Sequence, residues 1–319
     1  MTKLWRQGIA LLTIALLTHT TVPQAPVPAR TPVLLSTDVG NEIDDQWVIT
    51  YLLLQPRLEV LGILSAHAPS LPDPSAQTSH RILVDLVENR LRMHTHPPLL
   101  AGSDLPLTDS KTPQPSPAIR FLLEISKPFS PEHRLDVLAI GAPTDVASAI
   151  LTDPSVVDRI RVIQMGFIDE HGGDEYNILN DPRAEQVLLN SRVPLVIVPA
   201  SVCRADLAMT FSHARELLAT RGPIGAWLWQ EYQDWYFRNV KPLRVDDFSK
   251  PWYIWDTVTV AYVLGLTKEH TAPRPIMRDD ATFSGTDPQQ TVTWITHVNS
   301  EQLWSDFIHR VDQYQHIRP

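Results

Sequence analysis

The chain has 319 residues, long enough for one large α/β domain or two small ones. With 43% hydrophobic and 20% charged residues, it has the composition of a folded globular protein, which excludes general disorder and an integral membrane protein. Its net charge of −9 comes without any dense basic run, so the electrostatic footprint of a nucleic-acid-binding surface is missing.

The first thirty residues differ from the rest. Lys3 and Arg6 precede an apolar run from Ile9 to Leu17, and a polar, proline-bearing stretch follows from Thr18 to Arg30. That order reads as a secretory signal peptide and leader over residues 1–30. The apolar run falls short of the about 20 residues that a membrane span needs. The expectation is export to the periplasm or the exterior with no stable span once the leader is removed, or a membrane anchor if it is kept. Residues 31–319 are then expected to form a single domain.

Pro32 to Thr37 is a short apolar run of the kind that forms a buried parallel strand. Gln46 to Leu54 reads as a helix and Leu58 to Leu64 as a returning strand, which completes one βαβ unit. Ala76 to Asn89 follows as a helix and Leu99 to Gly102 as a short strand, and Thr108 to Pro117 is a loop. The alternation continues with strands at 135–140, 160–165 and 195–198 and helices at 145–151 and 182–189. Repeated alternation of this kind predicts an open, mainly parallel α/β sheet with helices on both faces. Cys203, the only cysteine, excludes an internal disulfide and reads as packing. From Ala208 to Asn239 the pattern is helical and aromatic, suited either to the core or to stacking on a ligand. Residues 252–264 read as a further helix, 292–297 as a strand and 300–314 as a terminal amphipathic helix.

The informative stretch is Asp38-Val39-Gly40-Asn41-Glu42-Ile43-Asp44-Asp45, directly after the first strand. In open α/β sheets, ligands sit beyond the carboxyl ends of the strands. Three aspartates within eight residues repel one another unless a cation or a helix amino end compensates them. A sulfur-free oxygen cluster suits calcium or magnesium. Asp44 and Asp45 also suit the first turn of a helix through its dipole, so the cluster alone leaves both readings open. Glu175 and Asn177 similarly suit the start of the helix near Asp181-Pro182. Asp256 lies among Trp252, Trp255, Val258 and Ala261, where an unpaired carboxylate is costly.

Five segments in order resemble the inosine-uridine preferring nucleoside hydrolase family. Residues 37–45 are similar to its amino-terminal signature, Asp-x-Asp-Pro-Gly-x-Asp-Asp. Gly141-Ala142-Pro143-Thr144-Asp145 resembles its Gly-Pro-Leu-Thr-Asn loop, and Met165-Gly166 its Met-Gly-Gly. Glu175 to Ala184 resembles Glu-Phe-Asn-Ile-x-x-Asp-Pro-Glu-Ala, and Trp255 to Tyr262 resembles His-Asp-x-x-x-Val-Ala-Tyr. The resemblance spans roughly residues 32 to 314 and implies a nucleoside hydrolase-like fold with a Rossmann-like core. It implies hydrolysis of ribonucleosides to ribose and a free base, with Ca²⁺ as cofactor and a small-molecule nucleoside as partner. Members are commonly dimers or tetramers, so a homo-oligomer is implied as well.

Residue by residue, the resemblance makes Asp38, Asp45, Asp256 and the backbone carbonyl of Thr144 the metal ligands, with Asp38 also the catalytic base. Asp44 and Asn177 would bond ribose hydroxyls, Glu175 the 5′-hydroxyl, and Met165 would line the sugar pocket. His67, just past the second strand, is a further candidate near the substrate. Three departures bear on function. The loop from Asp38 to Asp44 carries two extra residues, with Asn41 and Glu42 the natural candidates, and Glu42 could replace or crowd a ligand. The segment between Met165 and Glu175 is shortened and has no Gly-Asn pair. Trp255 stands where the family has a histidine suited to protonate the leaving base. These departures keep two alternatives in play: a non-catalytic nucleoside- or sugar-binding protein on the same scaffold, and a hydrolase of another ribosyl or glycosyl compound.

Overall fold

The computed structural model describes residues 30–240 and 248–317. The leader assigned to residues 1–30 lies, apart from Arg30, outside the described residues. Among those residues no helix is long and apolar enough to cross a membrane.

Eight strands form one sheet: β1 (Thr31–Thr37), β2 (Leu58–Ser65), β3 (Leu99–Ala101), β4 (Leu135–Ala139), β5 (Ile160–Met165), β6 (Leu195–Val198), β9 (Thr267–Met277) and β10 (Phe283–Val298). Their order is β3-β2-β1-β4-β5-β6-β10-β9, parallel throughout except for β9, which runs antiparallel to β10. A separate two-stranded pair joins β7 (Ala208–Met209) to β8 (Trp252–Tyr253). The helices are α1 (Asp44–Leu54), α2 (Ser75–Val84), α3 (Pro117–Ile125), α4 (Thr144–Thr152), α5 (Tyr176–Asn180) and α6 (Pro182–Asn190). They continue as α7 (Ala200–Asp206), α8 (Phe211–Leu218), α9 (Gly222–Trp235), α10 (Thr257–Val263) and α11 (Ser300–Ile317).

The side-chain alternation of a strand assigns each apolar residue to one of two cores. Val33 and Leu35 join one cluster with Trp47, Tyr51, Tyr232 and Phe307, from α1, α9 and α11. Leu34 joins the other with Ile119, Val146 and Leu188, from α3, α4 and α6. Both faces of the sheet are therefore covered by helices, as the near-continuous apolar runs of the strands require. Each such side chain, once buried, contributes roughly 1.5–3 kcal/mol relative to exposure. The aromatic stretch of α9 serves the core: Tyr232 is buried and its hydroxyl donates to the Met209 carbonyl at 2.6 Å.

Several elements differ from those expected. Residues 117–125 and 200–206 are helices, and 267–277 is an edge strand; none of these was anticipated. The stretch 252–264 is not one helix. It is strand β8, a turn carrying Asp256, and then α10, so Asp256 sits before the helix and not on its surface.

The chain leaves β1 toward β2 and β3 on one side and toward β4, β5 and β6 on the other. This makes the carboxyl ends of β1 and β4 the topological switch point of the sheet, the usual crevice for a ligand. Gly141 allows the two strand-end loops to meet there. A Cβ at this position would lie 2.9 Å from the Asp38 backbone nitrogen and 3.2 Å from its Cβ. Gly141→Ala is therefore expected to cost about 1–3 kcal/mol through overpacking, read by denaturant unfolding, and to displace Asp38. A variant as stable as the parent would remove Gly141 from this account.

Candidate active site

Asp38, which follows β1, and Asp44 and Asp45, in the first turn of α1, are almost fully buried, at 2%, 3% and 1% exposure. The turn between them needs Gly40, whose φ of +102° lies in the left-handed region that glycine adopts freely. Thr37 donates its hydroxyl to Asp45 Oδ1, which fixes that carboxylate against the end of β1. From the far end of the chain, Asp256 arrives in the turn before α10, and its backbone N–H donates to Asp44 Oδ2 at 3.2 Å. Carboxylate oxygens of Asp44, Asp45 and Asp256 lie within 4.8 Å of one another.

These four carboxylates border a cleft of about 200 Å³ together with Asn41, Glu42, Asp174, Glu175, Tyr176, Asn177 and Arg204. Met165, Ile168, Ala200, Trp252 and Trp255 add apolar wall. Arg204 is the single cation among the lining residues. Burial, and then the neighbouring Asp44, hold the Asp38 carboxyl well above the usual carboxylate range. Asp256 is raised by burial first and then by Asp44 and Asp45. Burial pushes Asp44 to about 6 and Glu175 to about 7, against the lowering effect of the backbone N–H groups that each accepts. Asp38 Oδ2 is buried and has no hydrogen-bond partner among the described residues. This is negative charge in search of a cation, which fits a hard dication with oxygen ligands.

The structure brings together Asp38, Asp44, Asp45, Met165, Glu175, Asn177, Trp255 and Asp256 in one cleft. Two candidates fall outside its lining. Thr144 is fully buried, and its hydroxyl donates to Asp181 Oδ2 at 2.6 Å. His67 Nε2 lies 2.9 Å from that same hydroxyl, so the imidazole braces Thr144, and burial lowers its pKa. Capping is divided between two carboxylates: Glu175 accepts from Ile178 N at the start of α5, and Asp181 accepts from Ala184 N at the start of α6. Asn177 caps neither, and donates Nδ2 toward the Ile140 carbonyl at 3.4 Å. Cys203 is buried with its Sγ 3.9 Å from Met165 Sδ, consistent with packing.

Asp174, Tyr176, Arg204 and Trp252 were not singled out as site residues from sequence. Tyr176 followed Glu175 in a recognised motif, but nothing in the chain signalled that its hydroxyl would reach Asn41 Oδ1, 3.0 Å away across the cleft. Asn41 and Glu42 thus have defined places. Asn41 meets Tyr176 and Ser70 on one side, and Glu42 meets the indoles of Trp252 and Trp255 on the other. Glu42 does not join the carboxylate group formed by Asp44, Asp45 and Asp256.

The family model for inosine-uridine preferring nucleoside hydrolases matches residues 33–305. The chain belongs to that family. Members are metal-dependent N-glycosyl hydrolases, and this member carries the acidic group described above at the expected strand end. It is 28% identical over 260 residues to a pyrimidine-specific ribonucleoside hydrolase, RihA, of Citrobacter koseri, covering 73% of this chain and 79% of that one. It is 26% identical over 230 residues to an uncharacterised protein of Schizosaccharomyces pombe, covering 62% and 71%. Its fold resembles that of a purine-preferring ribonucleoside hydrolase from Gardnerella vaginalis, with a TM-score of 0.70 at 20% identity over 89% of this chain and 99% of that one. An inosine-uridine preferring nucleoside hydrolase from Bacillus anthracis superimposes with a TM-score of 0.67 at 18% identity, again over 89% and 99%.

Proposed function

We propose that this family member hydrolyses the N-glycosidic bond of ribonucleosides with Ca²⁺ held by Asp38, Asp45, Asp256 and the backbone carbonyl of Thr144, and with Asp38 as the general base. The observation that carries this reading is that four buried carboxylates line one cleft at the switch point, three of them with oxygens within 4.8 Å of one another and the fourth, Asp38, with an unpartnered oxygen. When bound, the cation compensates the clustered charge and polarises the water and the vicinal sugar hydroxyls. Asp38 Oδ2 accepts a proton as water attacks the anomeric carbon. The new C–O bond forms as the C–N bond breaks; the bonding pair leaves with the base, which takes up a proton. Asp44, Glu175 and Asn177 orient the ribose through its hydroxyls, so the reacting atoms meet without a search. Met165, Ile168 and Ala200 exclude bulk water, and Trp252 and Trp255 form the wall on which the base rests.

Names of relatives include both pyrimidine-specific and purine-preferring enzymes, so the panel that tests this reading spans both classes. Base release from at least one member with Ca²⁺ present, lost on chelation, is the expected result. Calcium-dependent ribose or nucleoside binding without turnover of any member would replace the enzyme by the non-catalytic alternative.

A further inference from the structure

The lengthened acidic loop and the tryptophan in place of the family's histidine meet at one atom. Trp255 Nε1 donates to Glu42 Oε1 at 2.9 Å, and Trp252 Nε1 donates to the same oxygen. The two rings stand edge to face, 6.3 Å apart at 88°. Tyr253 leans against Trp255 with centroids 4.7 Å apart, and the Arg204 guanidinium lies over the Trp255 ring at 5.7 Å. Glu42, Trp252, Trp255 and Arg204 all line the cleft.

Each half of this arrangement is costly without the other. Two indole N–H groups drawn out of water need an acceptor, and an indole accepts nothing in return. A carboxylate at position 42 without donors would face Asp44 and Asp45 as one more like charge. Joined, they satisfy three polar groups and stop both rings from turning, because one acceptor oxygen meets both indole N–H groups. The insertion and the histidine replacement thus form one compensated unit.

We propose that Glu42 is a positioning residue for the base subsite: by accepting from both indoles it fixes the planes of Trp252 and Trp255, and through them the preference for bicyclic over monocyclic bases. A purine covers more of an aromatic wall than a pyrimidine does, so a loosened wall harms purine nucleosides more. The proposal rests on the nucleoside hydrolase reading.

The test compares Glu42→Ala and Glu42→Gln in the full chain with Ca²⁺, alone and combined with Trp252→Phe and Trp255→Phe. Glu42→Ala is expected to raise KM for a purine nucleoside roughly tenfold, while kcat changes by less than about threefold, the pattern of lost binding and not of lost chemistry. Its purine-to-pyrimidine ratio of kcat/KM falls by about fivefold or more. Glu42→Gln keeps an acceptor oxygen and stays within about threefold of the parent. In the double-phenylalanine background the alanine change moves KM by less than about twofold, since nothing remains to be held. Near-ultraviolet circular dichroism of the tryptophans, weakened in Glu42→Ala and kept in Glu42→Gln, reads the same bracing without turnover. Three results would overturn the proposal: an unmoved purine-to-pyrimidine ratio in Glu42→Ala, an equal loss in the phenylalanine background, or a glutamine variant as impaired as the alanine one. A parent protein that releases no base from any nucleoside defeats the functional reading instead, and the dichroism still decides whether Glu42 holds the indoles.

Discussion

Asp38→Asn is expected to lower kcat by roughly 10³–10⁴-fold, the upper range for loss of a general base, with the fold intact. The substitution keeps shape and removes both the proton-accepting lone pair and one charge. The buried Asp38 Oδ2 has no partner among the described residues, so no structural hydrogen bond is lost with it. Asp38 also raises the pKa of Asp45 and Asp256, so its neutralisation relieves repulsion inside the cluster. The cation-free variant should therefore melt no lower than the cation-free parent. Loss of activity combined with a lower melting temperature would point to a structural role. Retention of a tenth of the activity with saturating Ca²⁺ would remove Asp38 as the base. The catalytic and binding effects separate because kcat is read at saturating cation and substrate.

How much of this could be read from the chain depended on whether the information was local. β1, α1 and β2 were legible because their apolar runs, helical spacing and acidic turn all lie within residues 31–65. The switch point followed, since it depends only on where the first strand ends. The helix α3 begins where the proline-bearing loop 108–117 ends and was given no element, although its start signal was present: Ser116 accepts from Ile119 N at 3.1 Å, and Pro117 occupies the first turn. β9 was missed for another reason. Lys268, Glu269 and His270 are exposed, and Pro273 and Pro275 interrupt the run, so an edge strand looks like a loop. Asp256 was picked out by its apolar neighbours and its motif, but its place in a turn was not legible, because Trp252 to Leu264 reads as one continuous helix. Only the pairing of β8 with β7, a tertiary fact, turns the chain before it. The partners of Glu42 illustrate the limit most clearly. Position 42 looked like a rival for the metal, and Trp252 and Trp255 lie more than two hundred residues away in sequence, so no local pattern could join them.

Calcium binding is expected to stabilise the protein by about 2.7 kcal/mol at a free concentration one hundred times Kd, and removal by chelator to abolish both this gain and the activity. Asp44, Asp45 and Asp256 hold oxygens within 4.8 Å of one another in a buried setting, so without a cation their repulsion is relieved only by proton uptake. Protons and cations compete for the same carboxylates, and protonation is the alternative route to relief. The sign follows from the raised pKa values. A buried carboxyl such as Asp44, at about 6, binds more protons folded than unfolded between its ordinary and its raised value, so the cation-free protein loses stability as pH rises through that window. The stabilisation that Ca²⁺ brings should accordingly grow from about pH 5 to about pH 8, measured as the difference in melting temperature with and without chelator. Asp45→Asn and Asp256→Asn should each shrink that difference more than Glu42→Gln, which removes a neighbouring like charge but none of the proposed ligands. A melting temperature that ignores calcium at both pH values would mean that the cluster holds no cation, and Asp38 would then have to be explained without one. Mg²⁺ supplies the contrast. It demands a tighter octahedral shell at about 2.0–2.1 Å and gives up its water reluctantly, so a cluster suited to calcium should gain less from magnesium at equal concentration.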